Sequence, residues 1–399
     1  MAPEQVRGEP AGPHTDVFAL GTVLYEMVTG ERAFDAPAAV SVLHRILAEE
    51  PPRPVQLAPG CPPALEQLIL DCLEKEIGRR PATAAQVAER LRELAAAPSP
   101  AASPVSSAAG RVAPGPPSGL EQEIRFCTTP DGVRIAYASV GEGTPVIKAA
   151  NWLNHLQQDW QSPVWSHLVG GLAREHELVR YDARGNGLSD WTIDDLSFAA
   201  CLRDLETVVD ESGLERFALL GISQGCAVAV AYAVAHPERV TRLALHGGFA
   251  RGAFVRGSKE GAERRRALLT LTRHDWGTAS PAFRQLWTSL YLPDGTPEEQ
   301  EAWNALQRAT SPENAAAILE STGHFDIAHL LPQVTVPTLV SHCRGELAIP
   351  FSEGETLAQL IPGARFLPLE CRNHLVMEHD AAWPIYFSEL RRFLAEDAE

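Results

Sequence analysis

Phe217-Ala-Leu-Leu-Gly-Ile222, then Ser223-Gln-Gly225, then Cys226-Ala-Val-Ala-Val-Ala-Tyr-Ala-Val-Ala235 is the stretch whose reading decides the fold. The first segment is a short apolar run of strand length. The last is an apolar run of helix length with small residues in its first turn, so the chain must reverse at Ser223 and Gln224. Gly221 and Gly225 permit that sharp turn, which projects the Ser223 hydroxyl into a cleft. Gly-x-Ser-x-Gly alone is a weak signal; the strand before it and the helix after it make Ser223 a candidate nucleophile.

Working outward, the same alternation continues on both sides. A hairpin comes first, Glu123 to Thr129 and Val133 to Val140 around Pro130-Asp131-Gly132. Short apolar strands follow at Pro145 to Ala150, Glu177 to Asp182, Phe217 to Ile222, Thr241 to His246, Thr338 to Cys343 and Arg365 to Leu369, with helical patterns between most of them. This predicts a largely parallel sheet covered by helices on both faces. Between His246 and Val336 a long helical insertion at about 250–333, carrying Trp276, Trp287 and Trp303, interrupts the alternation as a cap.

A serine hydroxyl is a poor nucleophile without a base to take its proton. His374, just after the last strand, is the best base, with His379 its one rival by position. The orienting acid belongs after the preceding strand, where Val340-Ser-His-Cys-Arg-Gly-Glu346-Leu-Ala-Ile-Pro350 offers Glu346; the plain alternative is a solvated loop glutamate. Two backbone N–H groups must meet a developing oxyanion. Gln224 supplies one. Asn151-Trp152-Leu153, after the Pro145 to Ala150 strand, offers Trp152 as the other, a residue equally suited to the pocket wall.

Together these residues resemble the α/β-hydrolase family over residues 120–399. The resemblance implies an α/β fold with a mostly parallel sheet and a helical cap, and the chain order Ser223, Glu346, His374 is the order that family uses. Tyr181-Asp-Ala-Arg-Gly-Asn-Gly-Leu-Ser-Asp190 is similar to its D-x-R-G-x-G-x-S segment, whose glycines and arginine, here Arg184, brace the loop beside the active site. Three departures stand out: Ala150-Asn151 replaces His-Gly before the oxyanion residue, Glu346 replaces Asp, and Gln224 follows the nucleophile. A serine at 223 favours ester or thioester hydrolysis, whereas the dehalogenase branch needs Asp there. Neither a cofactor nor a metal is expected. Trp160, Trp165, Trp191 and the cap aromatics suggest an apolar small-molecule substrate, although tryptophans are more often plain core.

Residues 98–119 are rich in Pro, Ala, Ser and Gly and read as a linker. None of the 8 Trp precedes it, so the two halves differ in composition. Residues 1–97 read as helical throughout. Met1-Ala-Pro-Glu-Gln5, Asp16-Val-Phe-Ala-Leu-Gly21, Gly30-Glu-Arg-Ala-Phe34 and Arg80-Pro81 resemble the end of a Ser/Thr protein kinase, an all-α partial C-lobe. That resemblance implies structural roles: Glu4 pairs with Arg80, and Asp16 caps the central helix. The phosphate-binding and catalytic loops of a kinase precede this segment, so no kinase activity is expected, and Met1 reads as an internal methionine of a longer gene.

A net charge of −17 argues against sequence-independent nucleic-acid binding, and the densest basic spot, Arg264-Arg265-Arg266, reads as a solvated helix face. The 7 cysteines form no C-x-x-C pair, and neither a signal peptide nor an apolar run of spanning length is evident, so a cytoplasmic protein is expected. Two functions compete. One is a serine hydrolase attached to a catalytically empty kinase remnant. The other is a ligand-sensing or regulatory module of a signalling kinase.

Overall fold

The computed structural model describes residues 2–7, 12–34, 45–58, 61–96, 120–257, 259–278 and 281–396. The expected linker at 98–119 lies outside the described residues. Contacts divide the chain into two units, Met1–Ala109 and Gly110–Glu399.

The first unit is built of helices α1 (Pro3–Arg7), α2 (Pro13–Thr29), α3 (Pro54–Leu57), α4 (Pro63–Cys72) and α5 (Ala84–Ala96). Phe18, Tyr25 and Ile69 pack in one apolar cluster and Val17, Leu68, Cys72 and Val87 in another, so α2 contributes to both. Asp16 does not cap α2. Gly12 is the cap and Pro13 opens the helix, because proline's fixed φ suits the first helical position and its missing N–H is not needed there. Asp16 sits exposed in the first turn.

Glu4 and Arg80 do pair. Arg80 Nη1 and Nη2 each donate to one Glu4 carboxylate oxygen at 2.9 Å, Arg80 Nε donates to the Glu74 carbonyl, and the Thr15 hydroxyl donates to Glu4. Both side chains are fully buried. Burial pushes the Glu4 carboxyl up more than any one other influence, but the hydrogen bonds from Arg80, a backbone N–H and Thr15, with the Arg80 charge, together outweigh it and leave it at about 2 against an ordinary 4.5. A depressed folded-state pKa contributes stability that is complete above the ordinary value and lost as pH falls through the folded value. The first unit therefore loses stability between pH 4.5 and about 2. Circular dichroism melts across that window check this: Glu4→Gln flattens the dependence, and an unchanged slope in that variant refutes it.

The second unit carries an eight-stranded sheet of β1 (Glu123–Thr128), β2 (Arg134–Val140), β3 (Thr144–Lys148), β4 (His176–Tyr181), β5 (Phe217–Ile222), β6 (Val240–His246), β7 (Thr338–Cys343) and β8 (Arg365–Leu369). Their order is β1-β2-β4-β3-β5-β6-β7-β8. β2 runs antiparallel to β1 and β4, and every later pairing is parallel. Helices α6 (Leu156–Gln161), α7 (Ser166–Ala173), α8 (Phe198–Ser212) and α9 (Gly225–Ala235) come before the cap. The cap helices are α10 (Lys259–Asp275), α11 (Pro281–Tyr291), α12 (Pro297–Ala305) and α13 (Pro312–Gly323), and α14 (Phe351–Leu360) and α15 (Trp383–Ala395) complete the chain.

Every residue of β5 is buried, and its alternation divides the core. Ala218, Leu220 and Ile222 join residues of α7 and α15 in one apolar layer; Phe217 and Leu219 join α8, α9 and α14 in the other. Covering both faces is what makes a parallel strand read as a continuous apolar run. The central strand thus ends at a site walled by helices, with Ser223 at its carboxyl end.

Candidate active site

Ser223 follows β5 directly and is the one non-glycine with positive φ among the described residues, at 55°. A side chain in that left-handed region is uncommon and persists where the surroundings hold it. The hold is visible: Ser223 N donates to the His246 carbonyl at the end of β6, 2.9 Å away. The flanking glycines are required by close approach. A Cβ on Gly221 would lie 2.7 Å from Cys226 Cα, and one on Gly225 2.8 Å from the Ala150 carbonyl oxygen.

His374 and Glu346, 28 residues apart, come together at 2.9 Å between Nδ1 and Oε1. A carboxylate can only accept here, so Nδ1–H donates and Nε2 keeps its lone pair. Glu346 Oε1 also accepts from Ile349 N at 3.0 Å, which fixes the carboxylate. His374 is buried, and its Nε2 has no hydrogen-bond partner among the described residues. A buried polar atom left open in this way calls for an explanation, and a proton-accepting role provides one. Both partners crowd the turn that holds Ser223: a Cβ on Gly247, next to His246, would lie 3.0 Å from His374 Cε1 and 3.6 Å from Glu346 Oε2.

Ser223, Gln224 and Trp152 line one cavity of about 540 Å³. Among the described residues, neither the Trp152 nor the Gln224 backbone N–H donates a hydrogen bond. Gln224 is the N-terminal cap of α9, where an unbonded N–H is expected of the helix end. The rival histidine is elsewhere. His379 is 40% exposed and bonded to Glu299 at 3.2 Å.

Residues 158–381 match the family model of the alpha/beta hydrolase fold. This chain belongs to that family. A protein of Azorhizobium caulinodans provisionally named carbamate hydrolase RutD is 27% identical over 260 residues, which is 64% of this chain and 92% of that protein. An esterase from Exiguobacterium antarcticum superposes with a TM-score of 0.60 at 22% identity, covering 68% of this chain and 99% of the esterase, a likeness of fold. Residues 1–91 match the protein kinase domain. Over 86 residues they are 41% identical to the serine/threonine-protein kinase pkn3 of Myxococcus xanthus, of which this chain spans 16%. No described helix is long and apolar enough to cross a membrane.

Within the hydrolase domain the cap is tied to the site by aromatic rings. The Trp152 indole stacks on Trp276 at 5.2 Å and meets Trp287 edge-on at 5.0 Å. Trp287 contacts Tyr291, and Tyr291 meets the His374 ring at 5.6 Å while its carbonyl accepts from His374 N at 2.7 Å. Such pairs each contribute about 0.5–1.5 kcal/mol beyond burial. The side chain of Trp152 thus packs on the cap while the residue also lines the cavity that holds Ser223.

Four features escaped the sequence. His246, held neutral because burial lowers its pKa to about 3, takes a hydrogen bond from the Ser341 hydroxyl and donates Nε2–H to the His374 carbonyl. His342 lies 3.6 Å from the free oxygen of Glu346, with its own pKa lowered by burial. Both sit in buried strands where a histidine carries no pattern. Trp160 and Trp165 are core rather than wall, whereas leucines such as Leu268, Leu271, Leu286 and Leu290 form the apolar lining. Finally, Arg264 and Arg265 are not simply a solvated face: both line the cavity. The α10 backbone decides which side of that triplet turns inward, and the triplet itself does not.

Proposed function

We propose that this hydrolase cleaves a carboxylic ester or thioester through a Ser223–His374–Glu346 triad and an acyl-enzyme. The observation that carries the reading is the His374–Glu346 hydrogen bond with Nε2 left open, in a domain whose strand β5 ends in the left-handed turn at Ser223. Ser223 Oγ attacks the carbonyl carbon as His374 Nε2 takes its proton, and Glu346 stabilises the imidazolium. The oxyanion accepts from the N–H groups of Gln224 and Trp152. When the carbonyl re-forms, the bond to the leaving oxygen or sulfur breaks, and His374 returns the proton to that atom. Water then repeats the sequence, its proton passing to His374 and back to Ser223 as the acid departs. The relative named for carbamate hydrolysis adds carbamates to the bonds worth trying.

Purified protein with 4-nitrophenyl esters of increasing acyl length, and a fluorophosphonate probe located by peptide mass spectrometry, tests this directly. Turnover with modification of Ser223 is expected. Neither turnover above buffer nor modification of Ser223 would leave the reading without support.

Glu346→Gln keeps the shape and one acceptor oxygen but removes the negative charge that balances the imidazolium and offers an amide NH2 that can compete for the histidine tautomer. A loss of roughly 10³- to 10⁴-fold in kcat is expected. A loss below tenfold would return Glu346 to the role of an ordinary loop glutamate.

The second reading, a ligand-sensing module of a Ser/Thr kinase, draws on the kinase match at residues 1–91. It predicts saturable ligand binding without Ser223-dependent turnover, which the same experiments separate from catalysis.

A further inference from the structure

The cavity over Ser223 has an unusual electrical character for this protein. The chain carries 51 acidic against 34 basic residues, yet among the described residues the cavity wall includes Arg256, Arg264 and Arg265 and no aspartate or glutamate. Arg265, half-buried, donates from Nε and Nη2 to the Leu319 carbonyl at 3.1 and 2.7 Å and from Nη2 to the Thr322 hydroxyl at 2.8 Å. These partners are neutral. They aim the guanidinium without balancing its charge.

Arg256 is less engaged still. Among the described residues its guanidinium makes no hydrogen bond, and its Nε is buried without a partner. The carboxylate that acts on it electrostatically, Glu353, is occupied by the backbone N–H groups of Ala250 and Arg251 at 3.0 and 3.2 Å. Burial works against the charge of both arginines, and the Arg256 charge adds to that at Arg265. Two neighbouring cations on a cavity wall, with one carboxylate, Glu353, acting on Arg256 and no hydrogen bond to it among the described residues, are costly, and a carboxylate entering the cavity relieves that cost with charge-assisted hydrogen bonds.

The position fits the chemistry. Tyr291 lies beside Arg265 and lines the same cavity, and its ring meets the ring of His374 at 5.6 Å. The arginine wall is therefore about one side chain away from the triad, within reach of a short substrate whose carbonyl sits at Ser223.

We propose that Arg256 and Arg265 form an acid-recognition subsite, and that the substrate is an ester or thioester carrying a free carboxylate on a short, partly apolar chain. This rests on the reading of Ser223 as nucleophile and narrows it to a substrate class. The leucines of the same wall hold the methylene chain, and the arginines hold its charged end.

The test uses the full chain and two matched series: mono-4-nitrophenyl esters of unbranched dicarboxylic acids from four to eight carbons, and 4-nitrophenyl alkanoates of the same lengths. Expected is a kcat/KM roughly 10- to 100-fold higher for the best anionic ester than for its neutral partner. That ratio falls toward one in Arg256→Met and in Arg265→Met. Arg256→Met is the safer variant, because no hydrogen bond is lost with it. Equal rates for the two series, or faster neutral esters, in a protein that does turn over would overturn the subsite while leaving the hydrolase reading intact. If neither series is turned over, the hydrolase reading fails, and calorimetric titration with the monomethyl and dimethyl esters of the same diacids decides the subsite. Binding of the monomethyl ester alone, lost in Arg256→Met, supports it; equal binding of both, or of neither, removes it.

Discussion

Ser223→Ala lowers kcat/KM toward a turned-over ester by roughly 10⁴- to 10⁶-fold and abolishes fluorophosphonate labelling. The size follows from what is removed. In the proposed mechanism alanine leaves His374 Nε2 with no hydroxyl to deprotonate, so the acyl-enzyme route closes, while the proposed oxyanion donors, the N–H groups of Gln224 and Trp152, are left in place for direct attack of water. A residual acceleration of about 10³-fold over buffer is therefore compatible with the mechanism. His374→Ala should cost nearly as much as Ser223→Ala, and the double variant little more than either, because the residues act as a unit. Wild-type rates in Ser223→Ala would show that the cavity hydrolyses by another route, and losses that multiply would show that Ser223 and His374 act separately.

Arg184→Met destabilises the hydrolase domain by roughly 3–5 kcal/mol. Arg184 is fully buried, and its Nε and Nη2 donate to Asp204 at 2.9 and 2.6 Å. Its Nη1 donates to Asp131 at 2.9 Å and to the Asp195 carbonyl at 3.0 Å, so one guanidinium joins the β1–β2 turn, the loop after β4 and helix α8. Methionine fills much the same volume but strands Asp204, a carboxylate 1% exposed whose burial already raises its pKa against the pull of Arg184. Asp131, 31% exposed and also bonded to Arg203, tolerates the loss far better. Urea unfolding measures the change. The double variant Arg184→Met with Asp204→Leu should recover part of it, since it removes the uncompensated charge as well as the pair. A single-variant loss under about 1 kcal/mol would mean that the loop is braced by something else.

Much of the fold was legible because its signals are short-range. The β5 run, the glycines at 221 and 225 and the small residues of α9 each act within a few positions, and the strands expected at both sides recur within one or two residues of their observed ends. Asp16 shows where that legibility stops. A capping aspartate and a proline compete to start α2, and Pro13 with Gly12 as cap prevails, four residues before Asp16. Trp152, read as oxyanion donor or pocket wall, was open for a different reason: the surroundings of its indole depend on Trp276 and Trp287, more than a hundred residues away in the chain.

By itself the amino-acid sequence determined the parallel sheet, the sharp turn at Ser223 and the chain order of Ser223, Glu346 and His374, since periodicity, turn residues and spacing are written locally. Only the tertiary structure decided which groups meet. It brought His374 to Glu346 and His379 to Glu299, placed the rings of His246 and His342 behind the first pair, and turned Arg265 inward beside Arg256. Those outcomes depend on strand order, on close approach at Gly247 and on how α10 is rotated over the sheet. Each is settled by packing between residues far apart in the chain, where no local pattern can record it.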